Sequence, residues 1–202
     1  LYKINEKGEI EPQLAKSLPI LGEDGLSLKI DLREDIFFHD GTKFNAEAMA
    51  FTIERFLRIG TLNYIIDGRI KSIETPNEFT IILNLTRQSS SLVGFLTSVN
   101  LTPVSPLKYK EYKNDFLNQD FIGTGPYKLK TFKSRKQKLV RFDKYHGEKP
   151  YINRINFINL TNSTALYGAM LSKEVDVLIS NSIDEDQVRS LNKLSINKKI
   201  NE

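Results

Sequence analysis

Leu26, Leu28, Ile30 and Leu32 alternate with Ser27, Lys29, Asp31 and Arg33, the two-residue period of a strand with one buried face. His39-Asp40-Gly41 then reads as a turn, with Asp40 bonding backbone amides and Gly41 taking a positive φ. Neighbouring side chains at a strand end point to opposite sides, so His39 and Asp40 are not poised for each other. From about Ala46 to Leu57 the spacing becomes helical. Met49, Ile53, Phe56 and Leu57 share a stripe, Asn45 is the N-cap and Gly60 the stop. Strands are predicted at 70–74 and 79–85, as a hairpin that turns on the proline and asparagine of "TPNE".

The second half is less regular. Residues 89–98 fit a short helix, while the prolines of "LTPVSP" at 101–106 permit only extended or edge-strand backbone. A domain boundary is therefore expected at this proline segment. Beyond it come a short helix in "PLKYKEY", a glycine loop "FIGTGPYKL" at 121–129, a hairpin from Tyr127 to Phe142 and a strand at 152–160. A helix over 164–172 would turn Leu166, Met170 and Leu171 inward. Val175 to Ile179 reads as a short strand of the kind buried in a parallel sheet. Ser182 and Glu185 form a capping box ahead of a helix to about Leu191. Strands and helices interleave without strict alternation, so the class is mixed α/β.

The glycine loop raises the question of a phosphate site, which needs consecutive backbone N–H groups opening onto a helix. Pro126 removes one of those groups, and the residues after it alternate like a strand. Gly125, between Thr124 and Pro126, is instead expected to hold a backbone conformation suited mainly to glycine. With no cysteine among 202 residues there is no disulfide, thiol nucleophile or cysteine-based zinc site. Two histidines and no GxSxG or HExxH pattern leave a hydrolase without its parts, although His39 is where such a reading would start. Asp184, Glu185 and Asp186 read as first-turn carboxylates favoured by the helix dipole, not as metal ligands. The net charge is +4, and between Lys128 and Lys144 eight Lys or Arg face one Asp. That stretch is either a nucleic-acid surface, with Tyr127, Phe132 and Phe142 to stack on bases, or a solvated hairpin; the alternate placement of its charges favours the hairpin. Tyr64, Tyr109, Tyr112, Tyr145 and Tyr151 could equally line a ligand site or pack at domain edges. No apolar run has membrane-crossing length. The opening Leu1 and the unclosed "NKKINE" end lead to the expectation of a fragment.

Five blocks, in order, resemble the family-5 extracellular solute-binding proteins, the peptide and nickel receptors of ABC importers. They are "GEIEPQLAKSL" at 8–18, "DGLSLKIDLREDIFFHDGTKFNAEAMAFTIER" at 24–55, "GTGPYKL" at 123–129, "DKYHGEKPYINRINF" at 143–157 and "LSKEVDVL" at 171–178. Three positions depart from the pattern: Ala48 stands where an acid usually completes the capping box, His146 replaces a Trp, and Lys173 replaces a Gly. The resemblance implies a type II periplasmic-binding-protein fold with mixed sheets and flanking helices. Residues 1–104 would form an accessory subdomain and 105–202 an incomplete main lobe, since family members are longer and close a second lobe over the ligand. It also implies capture of a peptide, a nickel chelate or a similar small solute, and delivery to a membrane permease from a periplasmic or cell-surface location. No reaction, cofactor, metal cofactor or nucleic acid is implied. The ligand contacts expected on this part are Tyr64, Asn100, Thr102, Asn181 and Ser182.

Overall fold

A computed structural model describes residues 1–89, 91–110, 121–179 and 183–199, with side chains as far as residue 193. Packing divides the chain into two units, residues 1–130 with 138–155, and residues 131–137 with 156–202.

In the first unit the alternating stretch forms β4, Ser27–Asp31, with Leu28 and Ile30 buried. It belongs to a four-stranded antiparallel sheet in the order β3-β4-β6-β5, with β3 at Ile20–Leu21, β5 at Ile70–Asn77 and β6 at Thr80–Leu85. Helix α1, Ala46–Ile59, packs on β5 and β6. Asn45 caps it by accepting a hydrogen bond from the Ala48 amide at 2.9 Å. Met49, Ile53 and Phe56 lie on its buried face against Ile30, Ile81 and Leu83, while Phe38 and Phe44 meet edge to face. Each such aliphatic side chain contributes about 1.5–3 kcal/mol by leaving water. This layer is the core of the first unit.

The 70–85 hairpin forms, but not on the expected turn. Asn77 pairs with Thr80, and the Asn77 side chain accepts from the Phe79 amide at 3.0 Å. The turn is thus shorter, and Pro76 sits inside β5, where a register shift between Glu74 and Asn77 and an edge position tolerate a residue without an N–H. Gly60 ends α1 as expected, but in extended backbone with φ −69° and ψ 134°. Glycine is needed there for space, because a Cβ would lie 2.5 Å from the Phe56 ring.

Pattern reading did not reveal β1, Tyr2–Ile4, and β2, Ile10–Pro12, which pair around a turn whose Gly8 has φ +83°. Strands of three residues are too short to show a period. The predicted 89–98 helix shortens to α2, Ser91–Phe95. Of the 101–106 segment only residues 102–105 are extended: Leu101 closes a short helical turn, and Pro106 opens α3, Pro106–Tyr109, at a first position that needs no N–H, while the remainder of "PLKYKEY" lies largely outside the described residues.

Strands β7, Tyr127–Lys133, β8, Lys136–Arg141, and β9, Arg154–Ile158, pair in that order, and the division between the units falls within them. The hairpin expected from 127 to 142 is therefore present. Gly125 departs from expectation. Its φ is not positive, and an added Cβ would meet nothing within 4 Å.

In the second unit, α4 spans Ser163–Leu171 under an Asn162 cap. Leu166 and Ala169 face inward, but Leu171 is 45% exposed, because a residue five positions after Leu166 has rotated off the buried stripe. The helix ends in a Schellman motif, with the Glu174 amide donating to the Ala169 carbonyl and the Lys173 amide to that of Met170. Lys173 consequently adopts φ +59°, a conformation usually given to glycine. Val175 to Ile179 forms no strand; Val177 and Ile179 are 73% and 87% exposed, since no neighbouring strand among the described residues offers a hydrogen-bonding ladder. Helix α5, Glu185–Lys199, runs past the expected end at Leu191. Its Glu185 and Asp186 carboxylates pair with Arg189. The Ser182 half of the proposed capping box lies outside the described residues.

Two glycine substitutions should separate conformation from position: Gly41→Ala, at φ +89°, should destabilise by about 1 kcal/mol, whereas Gly125→Ala should shift stability by less than about 0.5 kcal/mol in urea unfolding. Equal losses would contradict the geometry. Lys173→Gly should raise the unfolding free energy of the second unit by about 0.5–1 kcal/mol by relieving its left-handed backbone, measured by amide exchange in α4.

Candidate functional site

The turn that follows β4 is bound to the glycine loop. The His39 amide donates to the Gly123 carbonyl at 2.9 Å, and His39 Nε2 lies 2.9 Å from the Gly125 carbonyl. Because the Gly123 amide donates to Nδ1 at 3.4 Å, the proton belongs on Nε2. The ring also meets the edge of buried Phe142, with centroids 5.0 Å apart. Burial lowers the His39 pKa, and its carbonyl contacts oppose that shift only in part. Both ring nitrogens serve the backbone, which removes the general base that a hydrolase would require.

Asp40 turns the other way. Its Oδ1 accepts from the Thr42 amide and hydroxyl, at 2.9 and 2.6 Å, and its Oδ2 accepts from the Ser105 hydroxyl. Burial would raise the Asp40 pKa, but the bonds from Ser105 and Thr42 outweigh it and hold the carboxyl below its ordinary value. Ser105 itself is fully buried and ends the proline segment. One residue earlier in that segment, the Val104 amide donates to Thr52 Oγ1, which in turn donates to the Ala48 carbonyl. Residues 102–105 are thereby pinned along α1 despite having no ladder of their own.

This pinning builds a cavity of about 140 Å³ between the end of α1 and the segment leading to the prolines. Thr52, Arg55, Thr61, Asn100, Thr102 and Val104 are among its walls. The Arg55 guanidinium lies over the Tyr109 ring, 5.0 Å from its centroid. Thr102 also lines a neighbouring cavity of about 190 Å³ with Tyr2, Tyr145 and His146. Among the described residues nothing in the first cavity pairs a nucleophile with a base, and no group of three His, Cys, Asp or Glu is placed to hold a metal ion. Its chemistry is that of hydrogen bonding and one positive charge, which suits holding a solute.

A family model described as Bacterial extracellular solute-binding proteins, family 5 Middle, matches residues 9–201. The chain belongs to this family. The probable D,D-dipeptide-binding periplasmic protein DdpA of Escherichia coli (strain K12) is 28% identical over 198 residues, covering 94% of this chain and 38% of the relative. The nickel-binding periplasmic protein of the same organism is 30% identical over 193 residues, covering 90% of this chain and 35% of the relative. A solved structure of the periplasmic binding protein DppA from Helicobacter pylori, in complex with the peptide STSA, matches with a TM-score of 0.82 at 25% identity, over 96% of this chain and 42% of that one. The fold is that of the type II periplasmic binding proteins, of which this chain spans well under half the length.

Within this family-5 chain the expected ligand residues separate. Asn100 and Thr102 come together on one cavity wall. Tyr64 stands on the short helical turn Asn63–Ile65, is 70% exposed and lies apart from that lining. Asn181 and Ser182 lie outside the described residues. Arg55 and Thr61 also line the cavity of Asn100 and Thr102, and sequence reasoning did not single them out. The available signal was weak: Arg55 follows buried Thr52 by three positions and so borders the apolar stripe of α1. The basic hairpin gains no support as a nucleic-acid surface, since Phe142 is 5% exposed and Tyr127 donates its hydroxyl to the Ile152 carbonyl. Among the described residues no helix is long and apolar enough to cross a membrane.

The His39 tie makes stability pH-dependent. A histidine whose folded pKa is lowered is protonated more readily when unfolded, so its contribution is complete above the ordinary value near 6.5 and is lost as pH falls through the lower folded value. His146, also lowered by burial, adds in the same direction. Thermal melts should fall between pH 7.5 and pH 5, and His39→Gln, which can still donate to the Gly125 carbonyl, should flatten that dependence. An unchanged slope in the variant would assign it elsewhere.

Proposed function

We propose that this chain is part of the solute-binding component of an ABC importer, which captures a peptide, a nickel chelate or a similar small solute outside the cytoplasmic membrane and passes it to the permease. The family match over residues 9–201 carries this reading. The relatives named for D,D-dipeptide and nickel binding, and the DppA structure holding a peptide, supply the solute classes. Binding without bond cleavage agrees with a cavity in which Thr61, Asn100, Thr102 and one guanidinium join the apolar Phe56, Ile59 and Val104, and the protein acts as a receptor and not as an enzyme. Asn100 and Thr102 contact the solute on this reading, with Tyr64, Asn181 and Ser182 contributing from the rim. Residues 1–104 serve as accessory subdomain and 105–202 as part of a main lobe, in a periplasmic or surface-anchored protein.

A cleft binder gains affinity by surrounding its solute. With the chain spanning 38% of the length of DdpA, these residues should supply only part of that enclosure. Isothermal titration of the 202-residue chain with di- and tripeptides, and separately with the nickel–histidine chelate, should therefore give saturable binding with Kd roughly millimolar or weaker. No saturable response to either class would overturn the solute reading, and micromolar binding would overturn the division of the cleft.

A further inference from the structure

We infer that the cavity beside the end of α1 is a carboxylate subsite in which Arg55 supplies the positive charge and Thr61 and Thr102 supply hydroxyl donors. The inference rests on the solute-binding reading and names the chemistry that one wall of the site selects.

Three observations converge on it. Among the described residues, two arginines have a buried Nε without a hydrogen bond, Arg55 and Arg141. Arg141 has a carboxylate beside it, with Asp143 Oδ1 at 3.6 Å. Arg55 has none within 4.0 Å among the described residues and is held only by the Tyr109 ring. A guanidinium whose Nε–H is buried without an acceptor carries a desolvation cost that a bound anion would offset. Consistently, burial is the leading influence on its pKa, which is lowered, and neighbouring Arg58 pushes in the same direction.

The cavity walls point to the same charge. Among the described residues no Asp or Glu lines the cavity, while Thr61, Asn100 and Thr102 do. Asn100 uses one amide hydrogen on Ser98 Oγ at 3.1 Å and retains a second. A water needs about 10–15 Å³ of such space, so about 140 Å³ admits a carboxylate with part of the group that carries it. Arginine also has the geometry for the task, because its planar fork meets both oxygens of a carboxylate at once. A neutral amide of the same size would leave the charge unpaired.

The position in the sequence explains why the pocket is ready-made. Thr52, one helical turn before Arg55, holds the Val104 amide and thereby fixes the distance between α1 and the segment bearing Thr102. The guanidinium of Arg55 is constrained by the Tyr109 ring beneath it. A subsite so braced presents its donors before a ligand arrives, which lowers the entropic cost of binding.

The test uses the Arg side-chain Nε–H resonances of the ¹⁵N-labelled 202-residue chain, with that of Arg55 assigned by its disappearance in Arg55→Lys. Sodium acetate should move the Arg55 resonance saturably, together with the backbone amides of Asn100 and Thr102. Acetamide, and sodium chloride at matched ionic strength, should not. Arg55→Lys keeps the charge but loses the fork, so acetate affinity read from the Thr102 amide should fall by at least threefold, and Thr102→Val should weaken acetate binding while the Arg55 signal remains to report it. An Arg55 resonance that ignores acetate, or follows acetamide equally, overturns the subsite. Peptide binding that persists in that case leaves the receptor reading standing and removes only the assignment of carboxylate to this wall.

Discussion

Backbone polar groups buried outside regular secondary structure are the constraint around which the first unit is arranged. The proline segment and the glycine loop have no ladder to satisfy their amides and carbonyls, and leaving them unpaired would cost about 1–3 kcal/mol each. His39 and Asp40 meet that demand from a single turn. The histidine takes the Gly123 amide and the Gly125 carbonyl, the aspartate takes the Thr42 amide of its own turn and the Ser105 hydroxyl, and the Ser105 amide donates to the Ile122 carbonyl of the glycine loop. Thr52 does the same service from α1 for Val104. Adjacent residues that point in opposite directions are useless as a catalytic pair, but they are well suited to joining two segments on either side of a turn.

The same bracing creates the cavity. Because α1 is anchored by a continuous apolar face and residues 102–105 are anchored by side-chain hydrogen bonds, the space between them is set by parts that do not belong to it. Its walls can therefore carry polar groups that contribute little to folding. Arg55 illustrates the division of labour: its neighbours Thr52 and Phe56 are buried and structural, while its guanidinium remains without an ionic partner among the described residues. Under the proposed solute-binding function, this arrangement would place recognition on braced walls, where geometry and not proton transfer sets selectivity.

The departures from the family's pattern acquire distinct physical meanings. Ala48 leaves half of a capping box, yet its amide still bonds Asn45 and its side chain is 3% exposed, so an acid there would be buried. Lys173 instead pays a conformational cost, since it occupies the left-handed position of a helix end. His146 is partly buried, and its carbonyl accepts from Arg33. Only the second of these three introduces backbone strain.

Sequence by itself determined the elements whose stability is local or repetitive: β4 from its alternation, α1 from its stripe and the Asn45 cap, the hairpins from their periods, and the Asp40-Gly41 turn from side-chain chemistry. Five short blocks in order were also enough to indicate the family that the comparisons show. Tertiary structure decided whatever depends on a partner distant in the chain. Val175 to Ile179 has the composition of a buried strand but no neighbour among the described residues to pair with, Pro76 is admitted because β5 is an edge, and Gly125 is placed by the His39 contact without needing a glycine backbone. Arg55 and Thr102, 47 positions apart, meet because the Thr52 and Asp40 side chains hold the proline segment in place. Periodicity reports which face of an element is buried, but the identity of what lies opposite that face is set only when the chain has folded.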